Sequence, residues 1–289
     1  MTDLKFACPH CRASLDSAFI CPTCRTAFEY RDGIYRFLLP ERELELKPFL
    51  SQYQHIRHQE GNVVHSTEYY RSLPFVPKGD LDDERWYIRR QSFKHLVELL
   101  PRHPIKILDL GAGNCWLTNR LTELGNYCVS VDISINCDDG LGAQKNYALP
   151  FTCVQADFDS LPLMPGQFDA AIFNASLHYS PDVEHTLAHV NLMLKQDGTI
   201  FVIDSPTFRS DRAGKKMISD RDDRFQAEFG LREVIQCGSG YLTRKQMYLA
   251  GFRFHVSHGG FLWTSRRLWS GMKMRREPAA FGVWAGKPK

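Results

Sequence analysis

Four cysteines come as two pairs, Cys8-Pro9-His10-Cys11 and Cys21-Pro22-Thr23-Cys24, nine residues apart. Each pair sets two thiolates on a tight turn, and two such turns close a tetrahedral four-thiolate zinc site. Four sulfurs leave no open position for water, so the metal expected on Cys8, Cys11, Cys21 and Cys24 is structural. A second pattern lies in Asp109-Leu110-Gly111-Ala112-Gly113, which follows an apolar run from Ile105 and precedes an amphipathic stretch with Leu117, Leu121 and Leu124. That reads as strand, tight turn and helix. Gly111 and Gly113 open backbone angles closed to other residues and clear room for a ligand on the turn. Trp116 stands where a dinucleotide fingerprint has its third glycine, and no Gly-Lys-Ser/Thr loop follows. A carboxylate at Asp109 disfavours a diphosphate and suits a cation. Asp132 ends the next strand-like run, 23 residues after Asp109, where a carboxylate can accept hydrogen bonds from ribose hydroxyls or instead cap the next turn. Asn174 to Tyr179 follow the carboxyl end of a strand-like run at 168–173, facing the crevice of an open α/β sheet. His178 suits a general base, since its ordinary pKa lies near neutrality, and equally suits packing beneath a ligand. Tyr179 could orient an acceptor. His185 and His189 stand four apart without the carboxylate of a His-Glu-x-x-His site, so they are expected to face solvent.

The stretch Asp109, Gly111, Gly113 resembles motif I of the class I S-adenosylmethionine (SAM) methyltransferases, with Cys115 at the position of that motif's third glycine. The match extends over 82–289, and the cysteine pairs with the tail 28–37 look like the zinc-ribbon leader of some bacterial methyltransferases. The resemblance, to the methyltransferase type 11 kind, implies a Rossmann-like α/β fold, a seven-stranded sheet with helices on both faces and a last antiparallel strand. It implies SAM as cofactor beside the structural zinc. Asp109, Gly111, Ala112 and Gly113 would meet the methionine part and the turn above it. Asp132 with Ile133 would hold the ribose, Asp157 with Phe158 the adenine, and Asn174 would stand at the crevice. His178 and Tyr179 would be the residues nearest the transferred methyl. The activity implied is methyl transfer to a small-molecule acceptor. An RNA acceptor is the rival within the same chemistry, and a non-catalytic scaffold with a ribbon for docking is the rival outside it.

Elements that could position these residues follow the same order. A zinc ribbon is expected over 1–39, a helical linker or lid over 40–81 with a helix at 48–58, and the α/β domain over 82–289. Within the last, helices are expected at 82–100, 181–194 and 243–250, with a turn at Gln196-Asp197-Gly198. Strands are expected at 105–110, 127–132, 151–155, 168–173, 199–204, 252–256 and 281–285. The polar stretch 205–229 reads as an inserted lid or acceptor-binding segment. A length of 289 residues with 43% apolar and 24% charged residues is that of a globular protein with a sizeable core. No apolar run is long enough to span a membrane, and Met1–Lys5 lead into the cysteines with no secretory core. Nine cysteines, four of them paired as above, fit a reducing, cytoplasmic location. Net charge is +3, yet 261–289 carries seven Lys and Arg against Glu277 alone, so the remainder is net negative by three. The interleaved Trp263, Arg266, Arg267, Trp269, Lys273, Arg275 and Arg276 would suit stacked bases, a small anion or plain solvent. The ribbon itself is near neutral, which disfavours an RNA clamp there.

Overall fold

A computed structural model describes residues 4–60, 65–76, 83–231, 233–255 and 275–288. The chain opens with the cysteine knuckles, then a hairpin of β1 (Glu29–Arg31) and β2 (Ile34–Arg36). Three helices follow: α1 (Pro40–Gln59), α2 (Thr67–Ser72) and α3 (Asp83–Leu99). The alternating part runs β3 (Lys106–Leu110), α4 (Trp116–Glu123), β4 (Tyr127–Asp132), β5 (Thr152–Gln155), β6 (Phe168–Asn174), α5 (Val183–Met193) and β7 (Leu194–Ile203). It ends with β8 (Thr207–Phe208), α6 (Asp211–Phe229), β9 (Leu242–Thr243), α7 (Arg244–Leu249), β10 (Phe252–His255) and β11 (Val283–Gly286).

The main sheet has the order β1-β2-β5-β4-β3-β6-β7-β11-β10. Its seven strands from β5 to β10 are the expected set, with β11 antiparallel to both β7 and β10. Neighbours of β3 leave in opposite directions, to β4 and to β6, so the switch point lies at the carboxyl end of β3. Strand alternation sends Leu108, Leu110, Ala171, Phe173 and Val202 to one face and Ile107, Ala170, Ile172, Phe201 and Ile203 to the other. The first face is covered by α5 and by Phe6, Leu15 and Phe37 of the ribbon. The second is covered by α3, α4 and Tyr70 and Leu73. Burial on both faces explains why the central strands read as continuous apolar runs.

Several expectations change here. The ribbon was expected as a module in front of the sheet. Instead β2 pairs in parallel with β5, and the ribbon's apolar side chains belong to the main core. Helix α1 starts at Pro40, not at 48; its first turns present Glu41, Glu43 and exposed Leu44 to solvent, so no apolar periodicity marks them. The expected turn at 196–198 lies inside β7, where the pairing with β6 shifts between Phe168 and Ala170. Most of the polar stretch 205–229 is helix α6, supported by Lys215–Asp211 and Lys216–Asp220 pairs of 2.7 Å along its face. In the basic segment, 261–274 lie outside the described residues. Arg276 pairs with Asp220 on α6 at 3.1 Å.

Candidate functional site

The turn after β3 is held by backbone pairing. The N–H groups of Gly111 and Ala112 both donate to Val131 O, at 2.8 and 3.0 Å. Gly111, Gly113 and Cys115 all take left-handed angles, with φ of 68°, 52° and 64°. Cys115 thus adopts at the third motif position the conformation a glycine would take without strain. Gly111 is required twice over: a Cβ there would sit 2.4 Å from Ser176 Cβ, and Ser176 is fixed by its own hydroxyl donating to Leu110 O. Gly111→Ala is expected to cost at least about 2 kcal/mol of stability, read as a lowered denaturant midpoint.

Asp132 Oδ2 accepts from the Gly113 N–H and Oδ1 from the Ser134 N–H, both at 2.8 Å. Burial pushes its pKa up to about 6, against the pull of those hydrogen bonds. Asp109 lies elsewhere than the motif suggests. It is fully buried, accepts from Thr118 Oγ1 at 2.6 Å, and does not reach the cleft. Its place between β3 and α4 drives its pKa up to about 7, through burial first and the charge of Asp132 after it. The expected contact of Asp109 with a cationic ligand is therefore replaced by a bracing role beneath the turn.

Gly111, Ala112, Gly113, Asp132, Ile133, Asp157, Phe158 and Asn174 line one cleft, which is open to solvent. Its roof is the α1 face carrying Leu46, Phe49, Leu50 and Tyr53. Asp157 accepts from Arg42 Nε of α1 at 2.7 Å and from the Asp159 N–H at 3.1 Å. Asn174 Oδ1 is buried and has no hydrogen-bond partner among the described residues. A second cleft adjoins the first, sharing Phe49, Tyr53, Arg89, Ala175 and Tyr179.

His178 lines the second cleft only. Burial and the nearby Arg221 push its pKa down to about 3, and Nδ1 lies 3.2 Å from Ser205 Oγ. A neutral imidazole with so low a pKa is a weak base, so the general-base expectation for His178 gives way to a packing role. Tyr179 does stand between the clefts, its ring 5.9 Å from Phe49 and 6.4 Å from Tyr53. Burial raises its pKa, which keeps the hydroxyl a donor.

Arg42 and Arg89 were not singled out by the sequence, since neither belongs to a motif. Arg89 lines both clefts, stacks over Trp86 at 4.7 Å, and makes no hydrogen bond or ion pair among the described residues. Burial with Arg85 and Arg57 nearby lowers its pKa to about 10, so it remains a cation.

The four expected metal ligands converge. The sulfurs of Cys8, Cys11, Cys21 and Cys24 all lie within 4.8 Å of one another. The Cys8–Cys24, Cys11–Cys21 and Cys11–Cys24 separations are 3.5, 3.3 and 3.8 Å. Tetrahedral zinc with bonds of about 2.3 Å spaces its sulfurs about 3.8 Å apart, so the donor set fits. Each knuckle closes alike: Arg12 N–H donates to Cys8 O and Arg25 N–H to Cys21 O, both arginines left-handed. His10 is exposed and outside this cluster. His185 is exposed, while His189 is half-buried and accepts from the Leu161 N–H at 3.3 Å, so only the first faces solvent as expected.

A family model described as "Methyltransferase domain" matches residues 108–202. Among curated proteins, the demethylmenaquinone methyltransferase of Corynebacterium urealyticum is 30% identical over 125 residues, 43% of this chain and 50% of that protein. An uncharacterized methyltransferase of Mycobacterium tuberculosis is 28% identical over 122 residues, 42% of this chain and 61% of that protein. The chain thus spans about half the length of the first of these relatives. Among solved structures, an S-adenosylmethionine-dependent methyltransferase from Mesorhizobium loti is 18% identical with a TM-score of 0.47, covering 68% of this chain and 97% of that one. The YcgJ protein of Bacillus subtilis is 14% identical with a TM-score of 0.46, covering 69% and 99%. No helix among the described residues is long and apolar enough to cross a membrane. Over residues 108–202, within the segment from β3 to β7, the chain is similar to a methyltransferase domain.

Proposed function

We propose that the first cleft binds SAM and that the chain transfers its methyl group to a small-molecule acceptor held in the second. The observation that carries this reading is the lining of the first cleft. It brings the Gly111–Gly113 turn, the Asp132 carboxylate, the Asp157–Phe158 pair and an Asn174 oxygen unpartnered among the described residues around one space at the switch point. An ammonium group would satisfy Asn174 Oδ1, and the open turn would lie along the methionine chain. Asp132, with Ile133 beside it, would accept from the ribose hydroxyls. Asp157 would accept from the adenine amine, with the Phe158 ring against the base. Arg89, a cation with no ion pair among the described residues, would take the methionine carboxylate.

SAM supplies a methyl group already activated by its sulfonium. What this chain does is hold, orient and keep dry. Leu46, Phe49, Leu50 and Tyr53 cover the cleft from α1. Tyr179 can donate a hydrogen bond to an acceptor lying across the junction of the two clefts. A small acceptor is favoured by the second cleft, whose walls come from α1, α3, α6 and the loop before β9. Gln52 joins two of these walls by donating to Glu233 O and accepting from the Ile235 N–H, both at 2.7 Å. The relative named as a demethylmenaquinone methyltransferase accords with this class.

The test is calorimetry with SAM, followed by incubation with labelled SAM and separated small-molecule, RNA and protein fractions of a cell extract. Label in the small-molecule fraction is the expected result. Label in RNA would move the acceptor to the basic 261–276 segment, and no SAM binding would leave only a scaffold. Arg89→Met is expected to weaken SAM binding about tenfold, the loss of one charge-assisted hydrogen-bonded pair, with the melting temperature little changed.

A further inference from the structure

The adenine acid and the zinc ribbon meet across one loop. Asp157 and Phe158 begin the segment that runs to Met164, and the first cysteine knuckle grips that segment along its length. The Ala7 N–H donates to Pro162 O and the Met164 N–H to Lys5 O, each at 3.0 Å. Ser160 Oγ donates to Pro9 O at 2.9 Å, inside the Cys8–Cys11 turn itself. Arg12, the residue after that turn, reaches Leu161 O with Nη1 and Leu163 O with Nη2, the latter at 2.9 Å. Leu161 and Leu163 are fully buried beside Phe6, Cys8, Leu15 and Cys21. On the other side of Asp157, β2 pairs with β5 and the Phe37 N–H donates to Gln155 O at 2.9 Å. The strand that ends at the adenine acid and the loop that leaves it are therefore both lined by ribbon backbone.

Arg12 can make its fork only from a fixed position. Its φ of 64° follows from the closed knuckle, in which its N–H donates to Cys8 O at 2.8 Å. Ligation of Cys8 and Cys11 by a metal is what keeps such a knuckle closed. The ribbon also shares the main core, so its apolar contacts remain when the metal leaves, and the first effect of that loss is local.

We propose that Arg12 and the metal-bound first knuckle position the loop presenting Asp157 and Phe158, so that loading of the four-cysteine site sets the affinity for the adenine end of the donor. This rests on the SAM reading above. Arg12 touches neither donor nor acceptor and acts through Asp157.

Full-length zinc-loaded chain and its Arg12→Met variant are titrated with S-adenosylhomocysteine and with its 6-oxo analogue S-inosylhomocysteine, and zinc content is measured in both. The variant is expected to keep its zinc, to bind S-adenosylhomocysteine about tenfold more weakly, and to lose most of its preference for adenine over the 6-oxo base. A general loss of stability would weaken both ligands alike and leave that preference intact. In the wild-type chain, stripping zinc with a chelator is expected to speed amide exchange at 157–164 and to weaken binding, with recovery on zinc addition. Should Arg12→Met fail to fold, Ser160→Ala carries the same comparison. Unchanged adenine preference in the folded variant, or unchanged affinity after zinc removal, overturns the proposal. If zinc-loaded wild-type chain bound neither ligand, the SAM reading itself would fall instead.

Discussion

Asp132→Ala is expected to lower SAM affinity roughly 100-fold, the equivalent of about 3 kcal/mol. Two losses combine at this position. The ribose loses a charged acceptor for its hydroxyls, and the turn loses the brace that Asp132 gives the N–H groups of Gly113 and Ser134. Hydrogen bonds to a charged group are worth about 1.5–3 kcal/mol each, which sets the size of the effect. The same residue gives binding a pH dependence with a definite sign. Its pKa is raised to about 6, chiefly by burial, so the carboxylate is ionised above that value and protonated below it. SAM affinity should hold on the alkaline side of pH 6 and decline as the pH falls through it. In Asp132→Asn that decline should flatten. Asp109, whose pKa is raised in part by the Asp132 charge, should itself titrate lower in that variant, so no inflection is expected near neutrality. Calorimetry across this range in wild type and both variants is the check. Wild-type affinity in Asp132→Ala would remove the ribose assignment.

The legible part of this site was the part with short-range signals. The glycines of the turn, the acids after strands and the paired cysteines each follow from a local backbone or ligand requirement, and all but Asp109 lie at the cleft or in the four-sulfur cluster. Asp109 was misplaced although its direction was readable. Residues two apart on a strand share a face, so Asp109 goes with Ile107, toward α3 and α4, and away from the cleft. A motif names a residue but does not say which way its side chain points. The ribbon's place in the sheet was hidden for another reason. Strands of three residues such as β1 and β2 carry too little alternation to reveal a partner, and parallel pairing with β5 joins residues more than a hundred positions apart. Arg42, on the exposed first turns of α1, and Arg89, on the amphipathic α3, matter only because distant elements fold against them. Helix α6 was invisible for the opposite reason. It is polar on most sides and supported by ion pairs along its own face, and its apolar stripe of Ala213, Met217, Ile218 and Phe225 is narrow.

Cys21→Ser should release the metal and cost the ribbon several kcal/mol, because zinc binding by such knuckles is worth about 10–16 kcal/mol in isolated modules. A serine hydroxyl stays protonated near neutrality and is a poor replacement for a thiolate toward zinc. Cys21 is also fully buried, packed in the core with Phe6 and Leu15, and its sulfur accepts from the Cys24 N–H at 3.4 Å. The second knuckle would therefore lose both its metal and an internal contact. Because the ribbon shares the main core, loss of its metal should loosen the knuckles and weaken the pairing of the β1–β2 hairpin with β5 rather than unfold the α/β body. Zinc content after dialysis against a chelator is the direct measurement. It is expected to be stoichiometric in wild type and near zero in the variant, with faster amide exchange in β2 and β5. Cys137→Ser is the control, since Cys137 is exposed and lies outside the cluster, and it should keep its zinc. Retention of stoichiometric zinc by Cys21→Ser would mean that three thiolates suffice. The claim that all four sulfurs are needed to hold the metal would then fail.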